Sequence, residues 1–292
     1  MTKEVTKTTA ENQRRALRRY DTLSAVNSLR LHWPEYMIEA AGLAIYMFSV
    51  CLFATLLQHP ASPAPHIIAS PLFRRALMGL AVGTTLVSII MTPWGKQSGG
   101  HFNPAMTFTF YRLGKVKLWD ALFYSAAQFS GATCGVAFAA YVLRDAPRNS
   151  AVRYAVTVPG MYGEAVAFAA ELTISFILMS TILFASNHAK LAQSTPCFVG
   201  ALYATYITFE TPLSGMSMNP ARTFGSALHA NDWQALWIYF IAPTLGMLAG
   251  AELFVRSRKG VNPYCAKLHH ANNKRCIFNH GPERAKIRTD SE

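Results

Sequence analysis

Acidic residues and evenly spread charges are both scarce in this chain of 292 residues, which carries 15 Asp and Glu against 27 Lys and Arg. Six windows of roughly 18 to 23 residues hold no Asp, Glu, Lys or Arg. A bilayer core about 30 Å thick needs about 20 apolar residues in a helix. The scarcity of charge therefore predicts six membrane-spanning helices. The windows are 40–57, 76–95, 121–143, 172–189, 191–209 and 233–251.

Other absences narrow the class further. The five cysteines form no disulfide framework, because three fall in apolar windows and two in the C-terminal tail. The first 33 residues have no apolar core of their own, so we expect no cleavable signal peptide and a first helix that acts as its own insertion signal. No nucleophile, base and orienting group recur together, and the sequence therefore favours a protein that is not an enzyme.

The positive charge is unevenly placed. With the N-terminus in the cytoplasm, all but six of the 27 Lys and Arg residues lie in segments predicted to face the cytoplasm. This bias follows the positive-inside rule and predicts two cytoplasmic termini in a plasma or inner membrane. It also argues against nucleic acid as a partner, since the charge follows topology. The six exceptions are Arg74, Arg75, Arg144, Arg148, Arg153 and Arg222.

A short stretch occurs twice, at residues 98–108 and 214–224, and the two copies share seven of eleven positions. Each copy contains Asn-Pro-Ala, with Asn103 and Asn219 at the equivalent positions. Asn is a favoured helix N-cap and Pro is favoured at the first helical position, so each copy predicts a helix start. The first of these helices is roughly 14 Å long and reaches only half of a bilayer.

The repeat extends beyond the motif. Glu39 in the first half corresponds to Glu171 in the second, and Gln128-x-x-Gly-x-x-x-Gly corresponds to Pro243-x-x-Gly-x-x-x-Gly. Small residues at this spacing allow close packing of helix backbones in lipid. Three spanning helices in each half require the second half to enter from the opposite side, as an inverted repeat. We interpret Glu39, Glu171 and Gln128 as structural support for the two loops, in preference to a proton relay.

Inversion predicts that two half-helices meet at the bilayer midplane with their N-termini facing. The backbone before each Asn then lines a water-filled path, with carbonyls 98–102 and 214–218 unpaired and the Asn NH2 groups pointing into the path. The facing positive helix ends oppose cations. The residues predicted to line the path are Gly99, Gly100, His101, Phe102, Asn103, Pro104 and Ala105, and Gly215, Met216, Ser217, Met218, Asn219, Pro220 and Ala221. We expect His101 to be a neutral side chain that braces the loop or lines the pore.

The two Asn-Pro-Ala copies, with Arg222 directly after the second, make residues 35–256 resemble the aquaporin and aquaglyceroporin family of major intrinsic proteins. The resemblance implies an all-α, right-handed bundle of six transmembrane helices and two half-helices in an inverted repeat. It also implies passive, single-file permeation of water or small neutral solutes through each monomer of a homotetramer, with protons excluded. No cofactor is required for this activity.

Arg222 is a candidate on its own, because Met106 stands at the equivalent position of the first copy and a cation in the first turn opposes the helix dipole. The resemblance implies that Arg222 belongs to a selectivity filter with Met216, Ile207 and either Gly83 or, with one gap allowed, Val82. Water-selective members have an aromatic residue and a His where this chain has neither, which predicts a wider opening. Thr223 replaces the Asp usual in glycerol facilitators. We favour water with some small neutral solutes.

The tail adds a separate candidate. Cys265, His269, Cys276 and His280 form two Cys-x3-His pairs, a plausible Cys2His2 ligand set for a metal ion. Two alternatives stay open: a facilitator of glycerol, urea or metalloid acids, and a membrane sensor or scaffold with a vestigial pore. We divide the chain into a basic arm at 1–33, a channel domain at 34–256 with halves at about 34–145 and 160–256, and a basic tail at 257–292.

Overall fold

The computed structural model describes residues 24–280, and every regular element in this range is helical. Eleven α-helices lie in it. They are α1 (Ala25–Gln58), α2 (Pro63–Ile67), α3 (Pro71–Met91), α4 (Pro93–Ser98), α5 (Pro104–Arg112), α6 (Leu118–Leu143), α7 (Gly163–Ser186), α8 (Thr195–Phe209), α9 (Thr211–Ser214), α10 (Pro220–Ala230) and α11 (Leu236–Ser257). The predicted all-α class is confirmed. The predicted arm lies mostly outside the described residues, as does the end of the tail.

Five of the six predicted spans are long and apolar enough to cross a bilayer, namely α1, α3, α6, α7 and α11. Helix α8 is shorter, with 15 residues, because the chain breaks at Glu210 before the four residues of α9. Helix α6 contains the whole predicted window 121–143 and begins three residues earlier, at Leu118. The main difference is α1, which begins at Ala25 although the arm was predicted to extend to residue 33. Ser24 caps this longer helix by accepting a hydrogen bond from Asn27 N–H at 3.3 Å.

The inverted repeat is visible in the packing partners. Helix α1 packs on α6 in the first half, and α7 packs on α11 in the second. Each half-helix packs across the halves, α5 against α11 and α10 against α6, while α3 packs on α8. The two halves therefore interlock, and each supplies the same elements to the centre of the bundle.

The predicted glycines explain the closest packing. A Cβ on Gly131 would lie 2.2 Å from the Ala40 carbonyl oxygen of α1, and a Cβ on Gly246 would lie 2.3 Å from the Leu172 carbonyl oxygen of α7. Only a residue without a side chain allows these backbones to approach so closely. The same small-residue spacing thus fixes the same helix pair in both halves.

The candidate pore and its two mouths

The two Asn residues of the repeat begin the two half-helices. The Asn103 side-chain oxygen accepts from Ala105 N–H at 2.9 Å, and the Asn219 oxygen accepts from Ala221 N–H at 3.0 Å. Both Asn side chains are buried. The Pro that follows each Asn lacks an N–H that the helix start would otherwise leave unpaired. The local sequence thus places two helix N-termini in the centre of the bundle.

The two caps also hold each other. Asn103 Nδ2 donates to the Met218 carbonyl at 2.7 Å, and Asn219 Nδ2 donates to the Phe102 carbonyl at 2.7 Å. Each amide therefore uses one N–H on the opposite loop. The prediction that the NH2 groups point into the path did not include this bond, which forms because the two loops approach closely.

The repeat extends to the backbone conformation of the loops. Both copies turn through left-handed residues at equivalent positions: Gly99 and Gly215, Gly100 and Met216, and Phe102 and Met218. For a residue other than Gly this conformation costs about 1 to 3 kcal/mol and persists only where surrounding contacts hold it. The loop shape is therefore imposed on two Met and one Phe by their surroundings.

Two buried carboxylates, Glu39 and Glu171, hold the backbone of the two loops in this left-handed conformation. Glu39 accepts from the backbone N–H groups of His101 at 3.1 Å and Phe102 at 2.6 Å, and Glu171 accepts from Ser217 and Met218, both at 2.7 Å. Turning these N–H groups toward the carboxylates turns the loop carbonyls toward the other side.

The partners of the two carboxylates differ between the halves. Gln128 Nε2 donates to Glu39 at 2.8 Å and to the Thr107 hydroxyl at 3.1 Å. The second half has Pro243 at the equivalent place, and the Ser214 hydroxyl lies 2.7 Å from Glu171 Oε1 and 2.5 Å from Glu210 Oε1. Glu210 is buried.

Some loop carbonyls are left without a protein donor. Between residues 24 and 280, no hydrogen bond reaches the carbonyl oxygens of Gly100, His101, Gly215, Met216 or Ser217. The prediction that all carbonyls of 98–102 and 214–218 are unpaired is wrong for the other five positions, because each of these carbonyls accepts a hydrogen bond from the protein. Tyr124 and Tyr239 hydroxyls bond the carbonyls of Ser98 and Ser214, and Leu268 N–H bonds that of Gly99.

One mouth of the centre is wide. We call it the Arg222 mouth: a cavity of about 290 Å³ whose lining includes Arg222, Ile207, Met216 and Val50. Arg222 is largely buried, and its Nη1 donates to the Ala155 carbonyl at 2.8 Å. The structure thus brings three of the residues implied for the filter to one cavity, with a cation beside aliphatic side chains.

The fourth filter position is resolved between its two alternatives. Gly83 faces α8, since a Cβ there would lie 2.5 Å from the Gly200 carbonyl oxygen, so its assignment to the filter is wrong. Val82 is fully buried and lies one helical turn from Met78, which lines the Arg222 mouth, and one turn from Leu86, which lines a second, smaller cavity described next. Val82 is therefore the remaining candidate.

The other mouth is narrow. We call it the tail mouth: a cavity of about 10 Å³, lined by Gly100, His101, Phe102 and Asn219 together with Leu268 of the tail. This volume holds about one water molecule. Sequence reasoning missed Leu268, because a single Leu in a polar tail gives no periodic signal.

His101 connects the loop to the tail. Its Nε2 donates to the Ala266 carbonyl at 2.8 Å, so the Nδ1, 3.0 Å from the Thr107 hydroxyl, is the acceptor in the neutral ring. The ring stacks between Phe110, at 5.1 Å, and Phe278 of the tail, at 5.3 Å. This arrangement is that of the neutral bracing side chain we expected.

The predicted metal ligands are only partly brought together. Ligand atoms of Cys265, Cys276 and His280 lie within 4.8 Å of one another. His269 is not in this group, so its assignment as a ligand is wrong. Its backbone carbonyl accepts from Asn272 Nδ2 at 2.5 Å, in a turn that places its neighbour His270 against Tyr264.

The chain is a helical bundle in which two Asn-capped half-helices meet at the centre. This fold places it among the polytopic α-helical membrane proteins that are built as inverted repeats. Residues 26–254 match the model of the family described as Major intrinsic protein. The chain belongs to this family and is an integral membrane protein.

Relatives and a solved structure agree with this assignment. The chain is 34% identical over 186 residues to Aquaporin NIP2-3 of Zea mays, covering 63% of this chain and 60% of that protein. It is 36% identical over 164 residues to Aquaporin PIP2-7 of Arabidopsis thaliana, covering 53% and 58%. The chain thus spans about three fifths of the length of these relatives. The structure of the aquaglyceroporin from Plasmodium falciparum shares the fold, with a TM-score of 0.64 and 20% identity over 76% of this chain and 95% of that one.

Proposed function

We propose that the chain is a passive transmembrane channel for water and small neutral solutes. The observation that carries this proposal is the pair of reciprocal contacts between Asn103 and the Met218 carbonyl and between Asn219 and the Phe102 carbonyl. These contacts bring two helix N-termini and a set of unbonded carbonyls to one central path. A polar, uncharged solute can exchange its bonds to bulk water for bonds to these groups.

Two features support the exclusion of ions and protons. The positive ends of α5 and α10 face each other at the centre, which raises the energy of any cation there. Arg222 adds a fixed positive charge at the wide mouth, and its side chain is held by the Ala155 carbonyl. Both features act on charge and leave a neutral solute unaffected.

The lining of the Arg222 mouth supports solutes larger than water. Ile207, Met216 and Val50 present aliphatic groups, and Arg222 is one of several polar groups that line the same cavity. In such a site the polar groups bind the hydroxyl or amide groups of a small neutral molecule, and the aliphatic side chains contact its carbon skeleton. A facilitator of glycerol, urea or metalloid acids is the second candidate that this lining favours.

Swelling of proteoliposomes tests the proposal. The full chain is reconstituted into vesicles, and light scattering follows their volume change. An osmotic gradient measures water permeation, and gradients of glycerol and of urea measure solute permeation. Permeation faster than in empty vesicles is expected for water and for at least one solute. Rates equal to those of empty vesicles, with metal present and after chelation, would instead favour a sensor or scaffold.

We also propose a homotetramer with both termini in the cytoplasm. Family membership and the charge distribution support these two points. Crosslinking of the protein in native membranes tests the assembly, and protease access to the tail in sealed vesicles tests the orientation.

A further inference from the structure

The tail is seated on three separate segments around the tail mouth. Leu268 N–H donates to the Gly99 carbonyl at 3.0 Å, and Asn279 N–H donates to the Lys115 carbonyl at 2.9 Å. Tyr264 N–H donates to Asn187 Oδ1, at the end of α7, at 2.7 Å. These contacts surround the mouth, so the tail covers it as an ordered segment.

Side chains of the tail enter the mouth itself. Leu268 lines the 10 Å³ cavity, and Phe278 is buried against His101 and Tyr124. A Cβ on Gly99 would lie 2.8 Å from the Phe278 ring, so the glycine at this turn also admits the tail. In this conformation the tail closes the narrow mouth.

A cluster of soft ligands lies at the ends of the segment that enters the mouth. Cys265 Sγ and Cys276 Sγ are 3.6 Å apart, and His280 completes a group within 4.8 Å. Two thiolates bound to one tetrahedral zinc ion at about 2.3 Å each lie about 3.8 Å apart. A disulfide requires about 2.05 Å. The observed separation matches shared coordination better than a disulfide.

The surroundings of the cluster favour metal binding. Lys267 Nζ donates to the Arg275 carbonyl at 2.6 Å and closes the loop that brings the two thiols together. Lys267 is itself buried, so this contact holds the loop in one conformation and keeps the two sulfur atoms close together.

A second imidazole lies beside this cluster. His270 and His280 both contact the Tyr264 ring, with ring centroids 5.2 Å and 5.3 Å from it. His270 Nδ1 is buried and has no hydrogen-bond partner between residues 24 and 280. The ligand atoms of His270 lie outside the 4.8 Å group, so the chain supplies three ligands, from Cys265, Cys276 and His280.

We propose that Cys265, Cys276 and His280 bind a zinc ion that holds the tail in the tail mouth and keeps the pore closed. Thiolate and imidazole ligands in a tetrahedral arrangement select zinc over hard cations such as Mg²⁺ or Ca²⁺. The regulatory half of this inference rests on the proposed channel function, whereas the binding half does not.

Metal content tests the binding half. The full chain is purified in detergent, stripped with a chelator, reloaded with zinc and measured by elemental mass spectrometry, with cobalt absorption as a second readout of thiolate ligation. One zinc per chain is expected in the wild type and in the Cys134→Ser Cys197→Ser control, whose two cysteines are exposed. Cys265→Ser is expected to lower zinc affinity by more than about 100-fold, beyond the loss that outer-shell changes produce.

Three results would overturn the site. The first is a wild type that binds no stoichiometric zinc, and the second is a Cys265→Ser variant that binds as much zinc as the wild type. The third is alkylation data that show Cys265 and Cys276 joined as a disulfide in the zinc-loaded protein. His280→Ala guards against misfolding, because His280 is exposed and its loss removes a ligand without opening a buried cavity.

Swelling tests the regulatory half. Wild-type proteoliposomes with zinc on both sides are expected to swell several-fold more slowly than after chelation, and His280→Ala is expected to swell fast in both conditions. Equal wild-type rates with and without zinc, both above empty vesicles, would overturn the closure. If no variant exceeds empty vesicles, the channel function fails while the metal content still decides the site.

Discussion

The two mouths of the bundle differ far more than the two halves that build them. The Arg222 mouth encloses about 290 Å³ and the tail mouth about 10 Å³. Yet the loops behind them share Asn caps, left-handed turns, a buried Glu and a Tyr bonded to the first Ser carbonyl. The repeat therefore builds the centre of the pore, and residues outside the repeat decide what passes at each end.

The largest effect is expected when the shared centre is damaged. Glu39→Ala removes the acceptor for Ser98 Oγ, Gln128 Nε2 and the N–H groups of His101 and Phe102. Each buried donor left unpaired costs about 1 to 3 kcal/mol, so we expect a loss of several kcal/mol and little folded protein. Thermal unfolding in detergent measures this. Glu252→Ala, at an exposed ion pair, should unfold like the wild type, and an equal midpoint for Glu39→Ala would contradict the role of Glu39.

A packing change on α3 should also be large. Gly83→Phe places a side chain where even a Cβ lies 2.5 Å from the Gly200 carbonyl oxygen. Because that neighbour is backbone, we expect α3 and α8 to separate and the yield of folded protein to fall sharply. Val82→Ala at the adjacent position is the milder comparison. Folded Gly83→Phe protein with narrowed selectivity would restore Gly83 to the filter.

The Arg222 mouth is tested by Arg222→Ala. Loss of the cation and of its bond to the Ala155 carbonyl widens the mouth, so uptake of glycerol and urea should rise several-fold relative to water. Solute and water swelling rates of the same vesicles give the ratio. Arg74→Ala, which removes a cation near this face without touching the cavity, should leave the ratio unchanged. A ratio that does not move in Arg222→Ala would remove Arg222 from the filter.

The opposite change at the same mouth is Ile207→His. A polar ring in place of an aliphatic side chain narrows the cavity and adds a hydrogen-bonding group, so the solute-to-water ratio should fall. The expected shift is smaller than that of Arg222→Ala, since the charge stays. Unchanged solute uptake with intact water permeation would show that Ile207 does not line the narrow part.

The smallest effect is expected at the tail mouth. Gly99→Ala combines a left-handed backbone with a Cβ only 2.8 Å from the Phe278 ring, so we expect about 1 kcal/mol less stability and a loosened tail. Hydrogen exchange of residues 261–280 reports the loosening. Gly163→Ala, also left-handed but with open space around its Cβ and no contact with the tail, separates the backbone cost from the contact with the tail. Equal exchange in both variants would contradict the contact.

The parts that sequence could predict are those that repeat. The Asn caps, the Gly pairs on α6 and α11, and the carboxylates of Glu39 and Glu171 each occur in both halves, and the doubled pattern located them. The reciprocal bonds between the loops could not be predicted, because they depend on how closely the halves approach.

Several features that occur once were missed or misplaced. Glu210 has no counterpart in the first half, Leu268 and Phe278 lie in a tail without periodicity, and α1 continues through Pro34 into the predicted arm. The choice between Val82 and Gly83 needed the packing of α3 on α8. The choice among tail histidines needed the turn at residues 269–272, which carries His269 away from the thiols.

Water permeability of the tail-released channel tests the central claim most directly. Proteoliposomes with His280→Ala are compared with empty vesicles and with His280→Ala combined with Ile207→Trp, which fills the Arg222 mouth. A central pore that is open at both mouths once the tail is released predicts fast swelling for His280→Ala and a return to the empty-vesicle rate when the Trp is added. His280→Ala vesicles that swell no faster than empty ones, or that are unaffected by the Trp, would contradict it.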